Sequence, residues 1–178
     1  MDTVEFLYQE ASELDSFLMS QGEFSLRMSA DANLRKSMLL ASASYLEKQI
    51  CDLIIEYVRT RTTDEKIVSF VNGKAISRQY HTYFNWNEHR CNSFLALFGS
   101  EFKKAFGTRI NQNTELMEAI SLFLEIGRER NRMVHQDFGS YTLEKTLEEI
   151  NTSHRKAKLF ISELRAALLG STVINENA

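Results

Sequence analysis

A stripe of apolar side chains between residues 31 and 60 constrains the fold of this chain more than any other feature. Its members recur every three or four positions, which places them on one face of an α-helix. A helix of this span is about 45 Å long and therefore predicts the central element of a helical bundle. The stripe consists of Leu39, Ala43, Leu46, Ile50, Leu53 and Tyr57, and Ile54 and Val58 widen it.

Helical patterns continue through the rest of the chain, which has no proline and only 7 glycines to interrupt them. We predict an all-α fold: an antiparallel bundle of about five helices, in a single domain over residues 1–178. Residues 1–22 form the N-terminal helix, and residues 170–178 form a frayed tail. A further helix is predicted over residues 91–106, with Leu97 on its buried side, and a polar loop follows from Gly107 to Asn113. The next helix is capped by Thr114. The last helix starts at Ser140 or Thr142 and carries a structural histidine, His154, on its apolar seam.

Two segments allow more than one interpretation. Residues 62–77 open with a capping-box pattern at Thr62, which favours a short helix ending near Gly73, whereas Asn72-Gly73 could instead turn a hairpin. The helix is the preferred interpretation. Residues 80–90 place aromatic side chains beside basic ones. Such rings can stack on single-stranded bases, but in a small bundle they more often cover the core, and we prefer that second interpretation.

The charge balance and the cysteines argue against several classes of function. With 21 basic and 24 acidic residues, the formal net charge is -3, so any nucleic-acid role needs a local basic site. Cys51 and Cys91 lack the spacing of a metal site, and the N-terminus lacks the pattern of a secretion signal. We therefore expect a soluble, cytoplasmic protein that spans no membrane and uses no metal or other cofactor.

The densest cluster of functional side chains lies in residues 125–139, at the end of the helix that starts near residue 114. On an ideal helix Arg128 and Asn131 share one edge with His135, whereas Arg130 lies about 140° away, within the apolar stripe. Because a guanidinium keeps its charge when partly buried, an arginine there pairs with a buried acid, lines a cleft between helices, or does both. One helix with this split would not easily aim both Arg130 and His135 at one phosphate.

Glu47 is the acid that best fits a supporting role for Arg130. It lies at the edge of the central stripe, near Ala43 and Ile54 rather than on the polar face of the helix. The Glu47 side chain could simply extend to solvent at the boundary of the core. It could instead pair with a basic side chain of a facing helix, because a buried carboxylate without a partner is costly.

His135 brings acid–base chemistry, because a histidine side chain gains and loses a proton near neutral pH. The sequence contains no metal-ligand spacing, phosphate-binding loop, glycine-rich nucleotide fingerprint or nucleophile elbow. The arginine, asparagine and histidine near residue 130 therefore carry the functional prediction.

Arg130-Asn131 followed by His135 resembles the arginine–histidine motif of HEPN domains, whose best-known members are metal-independent ribonucleases. The motif lies on the penultimate long helix, as in that family, and residues 130–139 look closest to its RiboL-PSP type. The resemblance implies a homodimer whose composite site contains Arg130 and His135 of both chains. It also implies attack of an RNA 2′-hydroxyl on the adjacent phosphate, which yields a 2′,3′-cyclic phosphate and a 5′-hydroxyl.

In the mechanism that the resemblance implies, His135 is the general base or acid and Arg130 stabilises charge on the phosphorane. Asn131 would orient the phosphate, while Arg128 and Arg132 would attract RNA without reading its sequence. Members of the family commonly serve as toxins or defence effectors, which implies an antitoxin or another partner protein. The alternative is a non-catalytic HEPN module that binds a nucleotide or a protein, and a purely structural helical protein is a third interpretation.

Overall fold

The computed structural model describes residues 2–170, which contain eight α-helices, one π-helical turn and no strand. Five of these helices have 12 residues or more, which agrees with the predicted all-α bundle of about five main helices. The helices are α1 (Thr3–Ser20), α2 (Phe24–Arg61), α3 (Glu65–Val71), α4 (Tyr80–Tyr83), α5 (Asn92–Ala96), α6 (Ser100–Asn111), α7 (Thr114–His135) and α8 (Leu147–Leu169), and the π-helical turn is Asn72–Ile76.

The centre of the bundle is formed by α2, α7 and α8. Helix α7 packs along α8, and α2 packs against both of them as well as against α1. The predicted stripe of α2 supplies its core side: Leu46, Ile50 and Leu53 are almost completely buried. They belong to the same buried cluster as rings from the second half of the chain, including Phe123 and Phe160. Each buried side chain of this size stabilises the fold by about 1.5–3 kcal/mol.

Helix α2 begins at Phe24 rather than near residue 31, so the predicted start was too late. The additional turns carry apolar side chains that remain exposed: 61% for Phe24, 58% for Leu26 and 76% for Met28. These exposed side chains do not extend the buried stripe of α2. The pattern of buried apolar residues in the sequence therefore begins later than the helix itself. Arg27 ties this end of α2 to α1 through a bond from its Nε to Asp15 Oδ1 of 2.6 Å.

The segment after α2 is helical and forms no hairpin, which confirms the interpretation preferred from the sequence. Its N-cap is Asp64, whose side chain accepts a 2.8 Å bond from the Lys66 amide, rather than Thr62. The Asn72-Gly73 pair lies in the π-helical turn that extends α3 to Ile76. The chain then reverses at Arg78, which has a φ of 61°.

The predicted single helix over residues 91–106 is wrong. The chain forms α5 and α6, separated at Gly99, whose φ of 97° suits only glycine. Leu97 lies in this break and is 63% exposed. The predicted polar loop from Gly107 is also wrong, because α6 runs through Gly107 to Asn111. Polar side chains at these positions face solvent from a helix and do not end it.

The ends of the last two long helices also differ from their predicted positions. Asn113, not Thr114, caps α7 by accepting a 3.0 Å bond from the Leu116 amide. Helix α8 begins at Leu147, not at Ser140 or Thr142, because Thr146 and Glu149 form a capping box there. The preceding residues form a loop in which Leu143 is buried. Because Leu143 continues the apolar spacing of α8, the sequence pattern of this loop resembles a helix.

His154 lies on the buried seam of α8, as predicted for a structural histidine. Its side chain is fully buried, and its two ring nitrogens lie 3.0 Å from Ser42 Oγ and 3.1 Å from Asp2 Oδ2. Burial lowers the pKa of His154, against the opposing effect of its hydrogen bond to Asp2. No helix within residues 2–170 is both long and apolar enough to cross a membrane. The predicted tail, residues 171–178, lies outside the described residues.

Candidate active site

The C-terminal half of α7 is held in place by its buried face and presents its other face to two open grooves. Phe123, Ile126 and Met133 are almost completely buried and fix the rotation of the helix. His135 is the last residue of α7 and is exposed. The motif side chains therefore project from a rigid element of the core, which suits a site that must hold its geometry.

The first groove, called here the motif groove, has a volume of about 440 Å³. It opens between α7, α2 and the segment that contains α4. Its walls are formed by Glu47, Arg78, Tyr80, His81, Trp86, Arg130, Asn131 and His135. The second groove, called the flanking groove, has a volume of about 580 Å³ and is lined by Phe84, Asn85, Trp86, Asn87, Arg128, Asn131, Arg132, His135 and Gln136.

The two grooves bring together all of the side chains that the sequence singled out. Arg128, Asn131 and His135 line the flanking groove, in agreement with their predicted common edge. Arg130 lines the motif groove together with Asn131 and His135, despite its angular separation on the helix. A single chain thus places Arg130 and His135 along one groove.

Arg130 lines a cleft rather than forming a direct pair with Glu47. Its Nη1 donates a 3.0 Å hydrogen bond to Asn131 Oδ1, and no carboxylate oxygen of residues 2–170 lies within 4.0 Å of its guanidinium. Of the alternatives left open for Arg130, the described residues show the cleft and no direct ion pair with Glu47. Glu47 is half-buried and contributes a carboxylate to another wall of the same groove.

Tyr80 is a neutral hydrogen-bond donor in this charged groove. Burial raises the pKa of its phenol well above the ordinary value, the Glu47 carboxylate raises it further, and Arg130 opposes the rise. Tyr80 therefore keeps its proton at neutral pH, and its hydroxyl can donate a hydrogen bond to an anionic ligand.

Aromatic side chains of residues 80–90 cover the core, which was the preferred interpretation of this segment. One of their rings also forms part of the wall of both grooves. Tyr83 and Phe84 are buried, whereas Trp86 is half-buried and lines both grooves. The indole lies so close to α7 that a Cβ atom on Gly127 would be only 2.0 Å from Trp86 Cζ3. Trp86 Nε1 donates a 3.2 Å hydrogen bond to the His81 carbonyl. Glycine at position 127 thus permits the contact that fixes this segment on α7.

Four residues of the motif groove carried no functional prediction from the sequence: Arg78, Tyr80, His81 and Trp86. Tyr80, His81 and Trp86 belong to the segment predicted to cover the core, and no pattern in the sequence distinguishes them from the neighbouring aromatic residues. Arg78 has no sequence signal at all. Its φ of 61° is uncommon for a residue with a side chain, and such conformations concentrate at functional sites.

The segment that follows the motif is tied to α2 and α7. Lys36, which is buried, donates a 2.7 Å hydrogen bond from Nζ to the Phe138 carbonyl, and its Nζ lies 5.0 Å from the centre of the Phe138 ring. The Tyr141 hydroxyl donates a 2.9 Å hydrogen bond to Glu129 Oε2. Glu129 also pairs with Arg132 at 3.1 Å, so the charge of this arginine is partly compensated.

The described residues form no cluster of metal ligands, and their two thiols are unreactive. Within the part of the chain that the structure describes, no group of three or more histidine, cysteine, aspartate or glutamate side chains is arranged to hold a metal ion. Both cysteines are free. Burial raises the pKa of Cys51 to about 11 and that of Cys91 to about 12, so both thiols are protonated at neutral pH.

Comparison with protein families gives a match over most of the chain. A family model described as RiboL-PSP-HEPN matches residues 5–169, which include all eight helices except the first two residues of α1. No curated protein and no solved structure matches the chain. The match extends over α2, α7 and α8, and thus over the elements that form both grooves.

Proposed function

This chain belongs to the RiboL-PSP-HEPN family, and we propose that it is a metal-independent endoribonuclease whose active site is the motif groove. The family match indicates a nuclease-like or RNA-related module. One observation carries the finer proposal: Arg130, Asn131 and His135 line the same open groove. A histidine that can exchange a proton and an arginine that can bind a phosphate are the groups that RNA cleavage without a metal requires.

The reaction is an internal transesterification. A base removes the proton of the 2′-hydroxyl, whose oxygen forms a bond to the adjacent phosphorus. The bond from phosphorus to the 5′-oxygen breaks, and that oxygen takes a proton from an acid. The products are a 2′,3′-cyclic phosphate and a 5′-hydroxyl. His135 acts as one proton-transfer group, Arg130 binds the phosphorane oxygens through its guanidinium, and Asn131 orients Arg130 through their 3.0 Å hydrogen bond.

The flanking groove extends the site for the rest of the RNA strand. It shares Trp86, Asn131 and His135 with the motif groove, so a strand can pass from one groove to the other at His135. Arg128 and Arg132 lie on this path and attract phosphates without reading bases. Arg128 contributes more of this attraction, because Arg132 is paired with Glu129. The local basic groups thus offset a formal net charge of -3.

We further propose that the protein acts in the cytoplasm as a homodimer and as a toxin or defence effector that a partner protein controls. Uncontrolled cleavage of RNA would harm the cell that makes the enzyme, and the proposal therefore includes an antitoxin or another inhibitor. In the dimer both chains would contribute Arg130 and His135 to one composite site.

A second candidate function is a non-catalytic module that binds a nucleotide. The walls of the motif groove favour it, since Tyr80 and Trp86 line the groove together with Arg130. Rings and arginine bind a nucleotide by stacking and by charge, and neither contact requires cleavage.

Incubation of the purified protein with end-labelled RNA in excess EDTA separates the two functions. We expect wild type to produce fragments with 2′,3′-cyclic phosphate ends, and His135→Ala to reduce the rate by about 100-fold or more. His89→Ala is the matched control, because His89 is exposed and lines a different cavity. RNA that stays intact with wild type, or is cleaved equally by His135→Ala, would refute the enzyme. Nucleotide binding that survives in His135→Ala would then support the module.

A further inference from the structure

We propose that His81 is the second proton-transfer group of the site and acts opposite His135 in the same chain. The inference rests on the proposed function and adds a catalytic residue to it. His81 belongs to α4, 54 residues before His135 at the end of α7, and both line the motif groove of about 440 Å³. The groove thus contains two histidines from separate elements.

The reaction needs two proton-transfer groups. In an in-line displacement at phosphorus, the attacking 2′-oxygen and the leaving 5′-oxygen lie on opposite sides of the phosphorus atom. One imidazole cannot reach both oxygens at once, so a base and an acid in different positions are required. The motif supplies one histidine in each chain. His81 supplies a second one on another wall of the same groove.

Three features fix the backbone of His81 against α7 while its imidazole remains exposed. Arg78 turns the chain with its φ of 61°, two residues before α4. The His81 carbonyl accepts the 3.2 Å hydrogen bond from Trp86 Nε1, and the Trp86 ring is in contact with Gly127 of α7. Among residues 2–170 the His81 imidazole forms no hydrogen bond, and the residue is exposed. It is therefore free to bind a substrate oxygen.

The titratable and charged groups that line the motif groove with His81 come from α2, α7 and the segment that contains α4. Their charges suit a phosphate between two histidines, because two cations can bind its oxygens and a neutral phenol can donate a further hydrogen bond. A carboxylate on the α2 wall balances part of this positive charge. These groups are Glu47 of α2, Arg78 and Tyr80 beside His81 itself, and Arg130 and His135 of α7.

The proton transfers balance within this pair. One histidine, neutral at the start, takes the 2′-hydroxyl proton as the bond from the 2′-oxygen to phosphorus forms. The other, protonated at the start, gives its proton to the 5′-oxygen as the bond from phosphorus to that oxygen breaks. The two side chains end with exchanged protonation states, and solvent restores them after the products leave. No water is consumed and no metal takes part in these steps.

The test compares His81→Gln, His135→Gln and the control His89→Gln on two RNA substrates over a range of pH. In the first substrate the leaving atom is the ordinary 5′-oxygen, and in the second it is sulfur at the same position. A thiolate leaves without a proton, so the second substrate does not need a general acid. We expect wild type and His89→Gln to show rates that rise and then fall with pH, as a paired acid and base require.

We expect His81→Gln and His135→Gln each to reduce the rate on the oxygen substrate by about 100-fold or more and to remove one limb of the pH profile. The sulfur substrate should restore the rate of only one of the two variants, and that variant identifies the acid. A positioning role for His81 would lower the rate but leave both limbs in place, and this result would overturn the proposal.

Other outcomes separate this proposal from the proposed function. If wild type cleaves and His135→Gln does not, while His81→Gln matches His89→Gln, the endoribonuclease stands and the role of His81 is refuted. Rescue of both variants by sulfur, or of neither, refutes the pair as well. If wild type forms no cyclic phosphate on either substrate, the endoribonuclease and the role of His81 are both refuted.

Discussion

The contact between Gly127 and Trp86 leads to the sharpest prediction about stability. An alanine at position 127 would place its Cβ atom 2.0 Å from Cζ3, 2.4 Å from Cε3 and 2.8 Å from Cη2 of Trp86. Carbon atoms in contact are normally about 3.5–4.0 Å apart, so the indole would have to move by about 1.5 Å or more. That movement disturbs its hydrogen bond to the His81 carbonyl and its packing on Phe84, whose ring centre is 5.1 Å away.

Two opposing effects decide the sign of the change in stability for Gly127→Ala. Overpacking of this kind costs about 1–3 kcal/mol. Alanine in a helix interior is favoured over glycine by about 1 kcal/mol. We therefore expect Gly127→Ala to lower the free energy of unfolding by up to about 2 kcal/mol. In a Trp86→Ala background the clash is absent, and the same substitution should raise the free energy of unfolding by about 1 kcal/mol.

Denaturant unfolding of wild type, both single variants and the double variant measures this coupling directly. The expected interaction energy between positions 127 and 86 is about 1–3 kcal/mol. Gly107→Ala is the matched control, because Gly107 is also helical and a Cβ atom there would have no heavy atom within 4 Å. That control should be stabilising in either background. Equal stabilisation by Gly127→Ala with and without the Trp86 ring would refute the close contact.

Two further predictions concern pH and subunit exchange. Burial lowers the pKa of His154 below its ordinary 6.5, so the unfolded chain takes up a proton before the folded chain does as pH falls. The melting temperature should therefore drop between about pH 7 and pH 5, more steeply for wild type than for His154→Gln, and equal slopes would contradict this origin. If the site uses Arg130 and His135 of one chain, a mixture of Arg130→Ala and His135→Ala proteins should stay inactive in the RNA cleavage assay. Recovery of activity on mixing would instead show a site shared between two chains.

The sequence by itself determined the main helices and the position of the motif. Hydrophobic side chains at helical spacing need no knowledge of distant residues, which is why the core side of α2 and the buried seam of α8 were predicted correctly. The same regularity placed Arg128, Asn131 and His135 on one edge of α7, and they line one groove. Helix ends were less predictable, because Asp64, Asn113 and Thr146 compete with neighbouring residues that could also act as caps.

Only the tertiary structure decided the composition of the motif groove. Glu47, Arg78 and His81 reach it from other elements, and contacts between residues far apart in the chain leave no local pattern in the sequence. For the same reason the sequence left open whether Arg130 pairs with Glu47 or lines a cleft: a helical wheel gives the face of a side chain but not the distance to another helix. The short approach of Trp86 to Gly127, which fixes His81 beside α7, depends on the packing of two segments 41 residues apart.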